Sequence, residues 1–176
     1  AFAIWDQRHQ RLVLARDRLG KKPLFYTADE RGLAFASELK ALLVDRTCPD
    51  IEPGARHHYL TFQYVPAPRT IFRGIRKLPP GHLLVYEVGK VSESAYWSLD
   101  YDRKAPIRSE AECLEEFRTL LEESVRLRLV SDVPLGAFLS GGVDSSSVVA
   151  VMSRLMNEPV KTFSIGFKEE PYNQLP

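Results

Sequence analysis

The run LGAFLSGGVDSS, residues 135–146, decides the fold. Leu135-Gly136-Ala137-Phe138-Leu139 is apolar without alternation, the pattern of a strand covered on both faces. Ser140-Gly141-Gly142-Val143-Asp144-Ser145-Ser146 supplies a turn, and residues 147–156 then follow helical spacing. The stretch 160–165 is apolar again, and Gly166 ends it. Strand, glycine turn, helix and strand make a βαβ unit, which calls for parallel strands and a right-handed crossover.

The turn itself carries chemistry. Gly141 and Gly142 have no Cβ, so backbone amides there can approach a ligand closely. The serines that follow open a helix, where amide donors lack partners and the dipole is positive. Such a loop at the carboxyl end of a strand suits phosphate or pyrophosphate. Asp144, an acid inside an anion site, makes sense if a divalent cation bridges it to the phosphates. No Lys follows the glycines as Walker A requires, and the G-x-G-x-x-G spacing of the dinucleotide fingerprint is absent. The plain structural alternative is a tight βα turn capped by serines.

Upstream, Ser109-Glu110-Ala111-Glu112 has the form of a capping box. Leu114, Phe117, Leu120, Leu121, Val125 and Leu129 fall mostly on one face of a helix predicted over about 110–130. The polar stretch 98–108 reads as a linker. Before it the pattern changes to hairpins. Apolar runs 2–5 and 12–15 flank a polar loop, 24–26 and 33–35 flank a turn containing Gly32, and 83–86 and 91–97 flank Gly89-Lys90. A helix over 37–43 with Ser37 as N-cap is expected to end at Pro49 and Pro53-Gly54, with a second short helix within 55–65. Four prolines among residues 66–80 make that stretch mostly irregular. Antiparallel β therefore comes first and α/β second.

The chain has 176 residues, 24 Lys plus Arg against 23 Asp plus Glu, and 44% hydrophobic residues. That balance excludes disorder, and it leaves no charge excess pointing to nucleic acid or an anionic membrane. No apolar stretch is long enough to span a bilayer. Two cysteines, Cys48 and Cys113, make no disulfide framework and suggest a reducing, cytoplasmic compartment. The opening without Met or signal peptide and the uncapped end read as those of a piece of a longer protein.

Taken with its surroundings, the 140–146 loop resembles the pyrophosphate loop of the ATP-pyrophosphatase superfamily, whose members split ATP between its α- and β-phosphates. Residues 2–6, Ala15-Arg16-Asp17-Arg18-Leu19-Gly20-Lys21-Lys22-Pro23-Leu24-Phe25-Tyr26 and 33–42 resemble the later part of a class II glutamine amidotransferase domain. Tyr64-Val65-Pro66, Lys77-Leu78-Pro79-Pro80-Gly81-His82 and Tyr96-Trp97 look like the end of that domain. Ser131-Asp132-Val133-Pro134-Leu135-Gly136 is similar to the start of the synthetase domain that follows. This order is that of the glutamine-hydrolysing asparagine synthetase family, and the resemblance covers nearly the whole chain.

The resemblance implies an α+β portion with the antiparallel sheets of an Ntn-type glutaminase domain over 1–97. A linker over 98–109 and a partial α/β, PP-loop synthetase domain over 110–176 follow. It implies a ligase that amidates aspartate with ammonia released from glutamine and carried through a tunnel, using ATP as substrate and Mg²⁺. Leu139, Ser140, Gly141, Gly142, Asp144, Ser145, Ser146 and Ile165 carry over as ATP and pyrophosphate contacts, with Asp144 the candidate Mg²⁺ ligand and Ile165 facing adenine. Ile165 reads equally well as a strand core residue. The family's nucleophile is an N-terminal cysteine, and neither Cys48 nor Cys113 fits that role, so no catalytic residue is assigned. Cys113 is expected to be a small buried hydrophobe. The isolated chain is expected to be inactive and to expose apolar faces.

Arg16, Asp17 and Arg18 read as a structural ion-pair cluster. The four histidines, His9, His57, His58 and His82, show no ligand spacing, and Arg69, Arg73, Arg76 and Lys77 read as a solvated or domain-contact patch. The partners implied are small molecules (ATP, aspartate, glutamine or ammonia), with no nucleic acid and no membrane. A homodimer of the parent stays open. So do a sister amidotransferase acting on another carboxylate, a β-lactam-forming relative and a non-catalytic nucleotide-binding module.

Overall fold

The computed structural model describes residues 1–44, 49–102, 106 and 108–166. It divides into two compact units, Ala1–Arg103 and Lys104–Pro176. The first is mixed α and β with antiparallel sheets.

Alternating side chains and short polar turns build the first unit from hairpins. Strands β1 (Phe2–Asp6) and β2 (Arg11–Ala15) pair antiparallel, as do β3 (Phe25–Asp29) and β4 (Gly32–Ala36). Gly32, at φ 115°, supplies the positive φ that the second turn needs. Helix α1 is Leu39–Val44 and α2 is Pro53–Phe62. After β5 (Arg76–Lys77) come β6 (His82–Glu87) and β7 (Lys90–Ala95), the third hairpin. The strands form two sheets, ordered β1-β2-β6-β7 and β4-β3-β5.

The core is the seam between these sheets. Leu14 of β2 stands opposite Leu84 of β6, and both are 0% exposed. They pack with Leu24, Tyr26 and Leu78, with Leu12, Leu33 and Tyr86 around them. Tyr26 crosses the seam, its hydroxyl donating to Glu93 Oε2 of β7 at 3.0 Å. Burial first, and then the Glu93 carboxylate, push the Tyr26 pKa up.

Two expectations shift here. Helix α1 starts at Leu39, so Ser37 stands two positions ahead of it. Pro53, read as a breaker, is instead the first residue of α2, where its missing N–H is no loss and its fixed φ suits the helix. Cys48 lies outside the described residues.

The second unit has α3 (Glu110–Arg128), β8 (Gly136–Phe138), α4 (Val143–Leu155) and β9 (Lys161–Phe163). The capping box at Ser109 and Glu112 is complete in both directions. Strands β8 and β9 run parallel with α4 between them in sequence, Ala137 opposite Thr162. The strand expected to be buried on both faces is not: Phe138 is 75% exposed and Phe163 57%. Among the described residues nothing further covers this two-stranded sheet, so its apolar side chains stay open. For the same reason the predicted apolar face of α3 is mostly exposed, with only Val125 buried. Cys113 also lies on α3's exposed surface, not in a core. Among the described residues no helix is long and apolar enough to cross a membrane.

Candidate functional site

The loop from β8 to α4 holds most of the residues singled out in the sequence. Gly141 has φ 76°, the left-handed turn that lets the chain leave β8 and enter α4. Helix α4 begins at Val143, four residues before the spacing suggests, so Val143, Asp144, Ser145 and Ser146 form its first turn. Apolar periodicity misses that turn because its residues face the loop rather than a core.

Gly142 is the N-cap, at φ −80° and ψ 159°, and no side chain caps the helix. The amides of Val143, Asp144 and Ser145 donate to no acceptor among the described residues. The Ser146 amide is the first used, donating to Gly142 O at 3.1 Å. The result is an open, positive helix end beside the carboxyl end of β8.

The serines divide the work. Ser145 is half-buried, and its hydroxyl accepts the Ser140 amide at 3.3 Å and donates to Gly142 O at 3.2 Å. The Ser140 hydroxyl lies 3.1 Å from it. Ser145 therefore shapes the loop from inside. Ser146 is exposed, with no hydrogen bond to its hydroxyl among the described residues, and can face a ligand. The Asp144 carboxylate is exposed and has no ion pair among the described residues. The chemistry of this donor set fits Mg²⁺, which is held by one or two carboxylates together with substrate phosphates and water. Among the described residues there is no cluster of three or more His, Cys, Asp or Glu that could hold a metal without phosphate.

The second strand is tied to the same loop. Leu139 donates to Phe163 O at 2.9 Å, and Ser164 Oγ donates back to Leu139 O at 2.6 Å. Ile165 follows, 62% exposed, so it is available to a ligand and is not a core residue among the described ones. Two supporting residues had no role in the sequence reading. Ser164 locks the strand ends together. Gly136 lies against β9, where a Cβ would sit 2.5 Å from Phe163 Cε2 and 3.0 Å from Lys161 O. A glycine inside a strand pattern signals such close approach.

In the first unit, Arg16, Asp17 and Arg18 form a structural cluster, but among the described residues none of them makes a salt bridge. Arg16 donates to three backbone carbonyls, Lys22 O at 2.9 Å, Leu78 O at 2.7 Å and Gly20 O at 2.8 Å. Its partial burial lowers its pKa. The Asp17 carboxylate accepts the Lys21 and Lys22 amides at 2.9 and 3.0 Å, and those bonds, Lys22's first, hold its pKa down. Arg18 lies over Trp97, 5.9 Å from the ring. Carbonyls near a strand end are invisible in a charge pattern, which by itself suggests ion pairs. Of the histidines, His9 bonds Asp6 at 2.8 Å and His82 bonds Pro80 O at 2.8 Å. His57 and His58 are neighbouring rings on α2.

One unit is built on two antiparallel sheets, and the other carries a glycine-rich strand-to-helix loop. Residues 1–97 match the glutamine amidotransferase domain model, and residues 116–176 match the asparagine synthase model. The chain belongs to the glutamine amidotransferase domain family. It is 36% identical over 177 residues to asparagine synthetase [glutamine-hydrolyzing] 1 of Bacillus subtilis, covering 99% of this chain and 27% of that protein. It is 38% identical over 183 residues to putative asparagine synthetase [glutamine-hydrolyzing] 2 of Methanocaldococcus jannaschii, covering 100% of this chain and 35% of that protein. Amidase chry2 of Gibberella zeae is 39% identical over 165 residues, covering 92% of this chain and 24% of that protein. The chain thus spans about a quarter to a third of the length of these relatives.

Proposed function

We propose that the chain is part of a glutamine-hydrolysing asparagine synthetase, a ligase. Residues 1–97 belong to its glutaminase domain, 98–109 form a linker, and 110–176 begin a parallel-sheet PP-loop synthetase domain. Ammonia from glutamine displaces AMP from β-aspartyl-AMP, giving asparagine, after ATP and aspartate have reacted with release of pyrophosphate. The observation that carries this reading is the open first turn of α4, where three amides beside Gly141 and Gly142 lack an acceptor among the described residues.

In this reading the amides of Gly142, Val143, Asp144 and Ser145 and the Ser146 hydroxyl bind the β- and γ-phosphates, which become the leaving pyrophosphate. Ser140 and Ser145 hold the loop in shape, and the Leu139 and Ile165 segments border the nucleotide. Asp144 would hold Mg²⁺, which when bound offsets negative charge on the leaving group. The partners are small molecules rather than nucleic acid or membrane, the parent works in the cytoplasm, and it forms a homodimer.

The test uses the intact parent with ATP, Mg²⁺ and ammonium, following pyrophosphate release with and without aspartate. Aspartate-dependent release is expected. Release that answers only to another carboxylate would move the function to a sister amidotransferase. No release with any acid would leave a nucleotide-binding module.

A further inference from the structure

We propose that an arginine-lined cleft in the first unit binds a phosphate-bearing small molecule. The cleft has a volume of about 570 Å³ and is lined by Arg69, Arg73, Arg76, Glu52, Thr70 and Phe72, among others. That volume lies within the range of small-ligand pockets and exceeds what a lone phosphate fills.

Its charges are not balanced from within. Arg69 and Arg76 stand opposite one another at an isolated antiparallel bridge, a placement that sets like charges face to face. Neither has a carboxylate ion pair among the described residues. Arg76 is the cross-strand partner of Tyr26, whose hydroxyl is already bound to Glu93. Arg73 has a long, exposed pair, its Nε 3.4 Å from Glu52 Oε2. Three arginines thus line the cleft against a single lining carboxylate, that of Glu52. Their planar forks match phosphate oxygens two at a time.

The frame is fixed before any ligand arrives. Thr70 is 3% exposed, and its hydroxyl donates to Ile75 O at 2.8 Å while accepting the Phe72 amide at 3.2 Å. The Glu52 amide donates to Ile71 O and the Arg73 amide to Asp50 O, each at 2.9 Å. The loop that carries the arginines is therefore stitched to the segment that carries Glu52, so little ordering remains for binding to oppose. This site is independent of the 140–146 loop.

The test titrates the full chain by calorimetry with inorganic phosphate and with glycerol phosphate, at fixed low chloride. Arg69→Gln and Arg76→Gln should each weaken binding about tenfold or more, since each removes a charge-assisted contact. Glu52→Gln should tighten it a few-fold. That gain cannot come from a damaged fold, because the Glu52 side chain makes no cap bond to α2. Val143→Pro, which removes a loop amide at a position where proline is tolerated, should leave this binding intact. The proposal is overturned if the arginine variants bind phosphate like the parent, or if Glu52→Gln gains nothing. Loss of phosphate binding only with Val143→Pro would also overturn it, as would malonate binding more tightly than glycerol phosphate.

Discussion

Replacing Gly142 with serine should stabilise the chain while weakening its grip on pyrophosphate. The position is built for it: φ is −80°, open to any residue, and a Cβ would meet only Ser140 Oγ at 3.6 Å, an ordinary contact. A serine N-cap accepts an amide of the first turn. Ser over Gly there is worth a few tenths of a kcal/mol, and the stiffer unfolded chain adds roughly 0.5 kcal/mol. The second unit should melt a few degrees higher, at about 4–8 °C per kcal/mol for a small domain. The same hydroxyl occupies a donor that the anion needs. Losing one charge-assisted amide contact costs about 1.5–3 kcal/mol, roughly ten- to a hundredfold in affinity. Calorimetric titration of pyrophosphate with Mg²⁺, alongside a thermal melt, reads both quantities on one sample. Unchanged pyrophosphate affinity in a more stable Gly142→Ser variant would refute the claim that the α4 amides form the site.

Gly81→Ala should destabilise the first unit by about 2 kcal/mol more than Gly89→Ala in denaturant melts. Both have positive φ, but a Cβ at Gly81 would lie 2.4 Å from the Trp97 carbonyl while one at Gly89 meets nothing within 4 Å. Ser109→Ala should lose about 1 kcal/mol and fray the start of α3, seen as faster amide exchange at Glu112, whose amide bonds the Ser109 hydroxyl at 3.3 Å. The Asp6 carboxyl, held at about 2 by its hydrogen bonds to His9 first of all, should titrate there by carbon NMR. Because that folded value is depressed, its stabilising effect is present above the ordinary carboxylate pKa and fades as pH falls towards about 2, and His9→Ala should return the titration upward.

How much of this was legible in the sequence follows from the range of the forces involved. The hairpins, the Ser109 capping box and the parallel β8–β9 pair rest on patterns within a few residues, and the spacing reveals them. Pro53 misleads because the same residue ends one helix pattern and starts another, and only the backbone decides. The start of α4 is missed because its first turn serves the loop, so it carries no apolar period. Arg16 bonds Leu78 O across sixty-two positions, which no local charge pattern discloses. The arginine cleft is visible in sequence only as a basic cluster. Its meaning depends on Arg69 and Arg76 meeting across a bridge.

The loop keeps its shape although its sheet is thin. Phe138 and Phe163 are exposed, so burial cannot be what fixes the strand ends. Short-range bonds do it instead: Leu139 to Phe163, Ser164 back to Leu139, and Ser140 to Ser145. Each links residues of the loop to one another or to the end of the neighbouring strand. Among the described residues the loop is thus held by its own few residues and by the end of one neighbouring strand. That explains why the glycine–serine string can be recognised in sequence where the faces that cover a parallel sheet cannot. It also explains why Ser145, whose hydroxyl is spent inside the loop, matters as much to the proposed site as the amides at the start of α4.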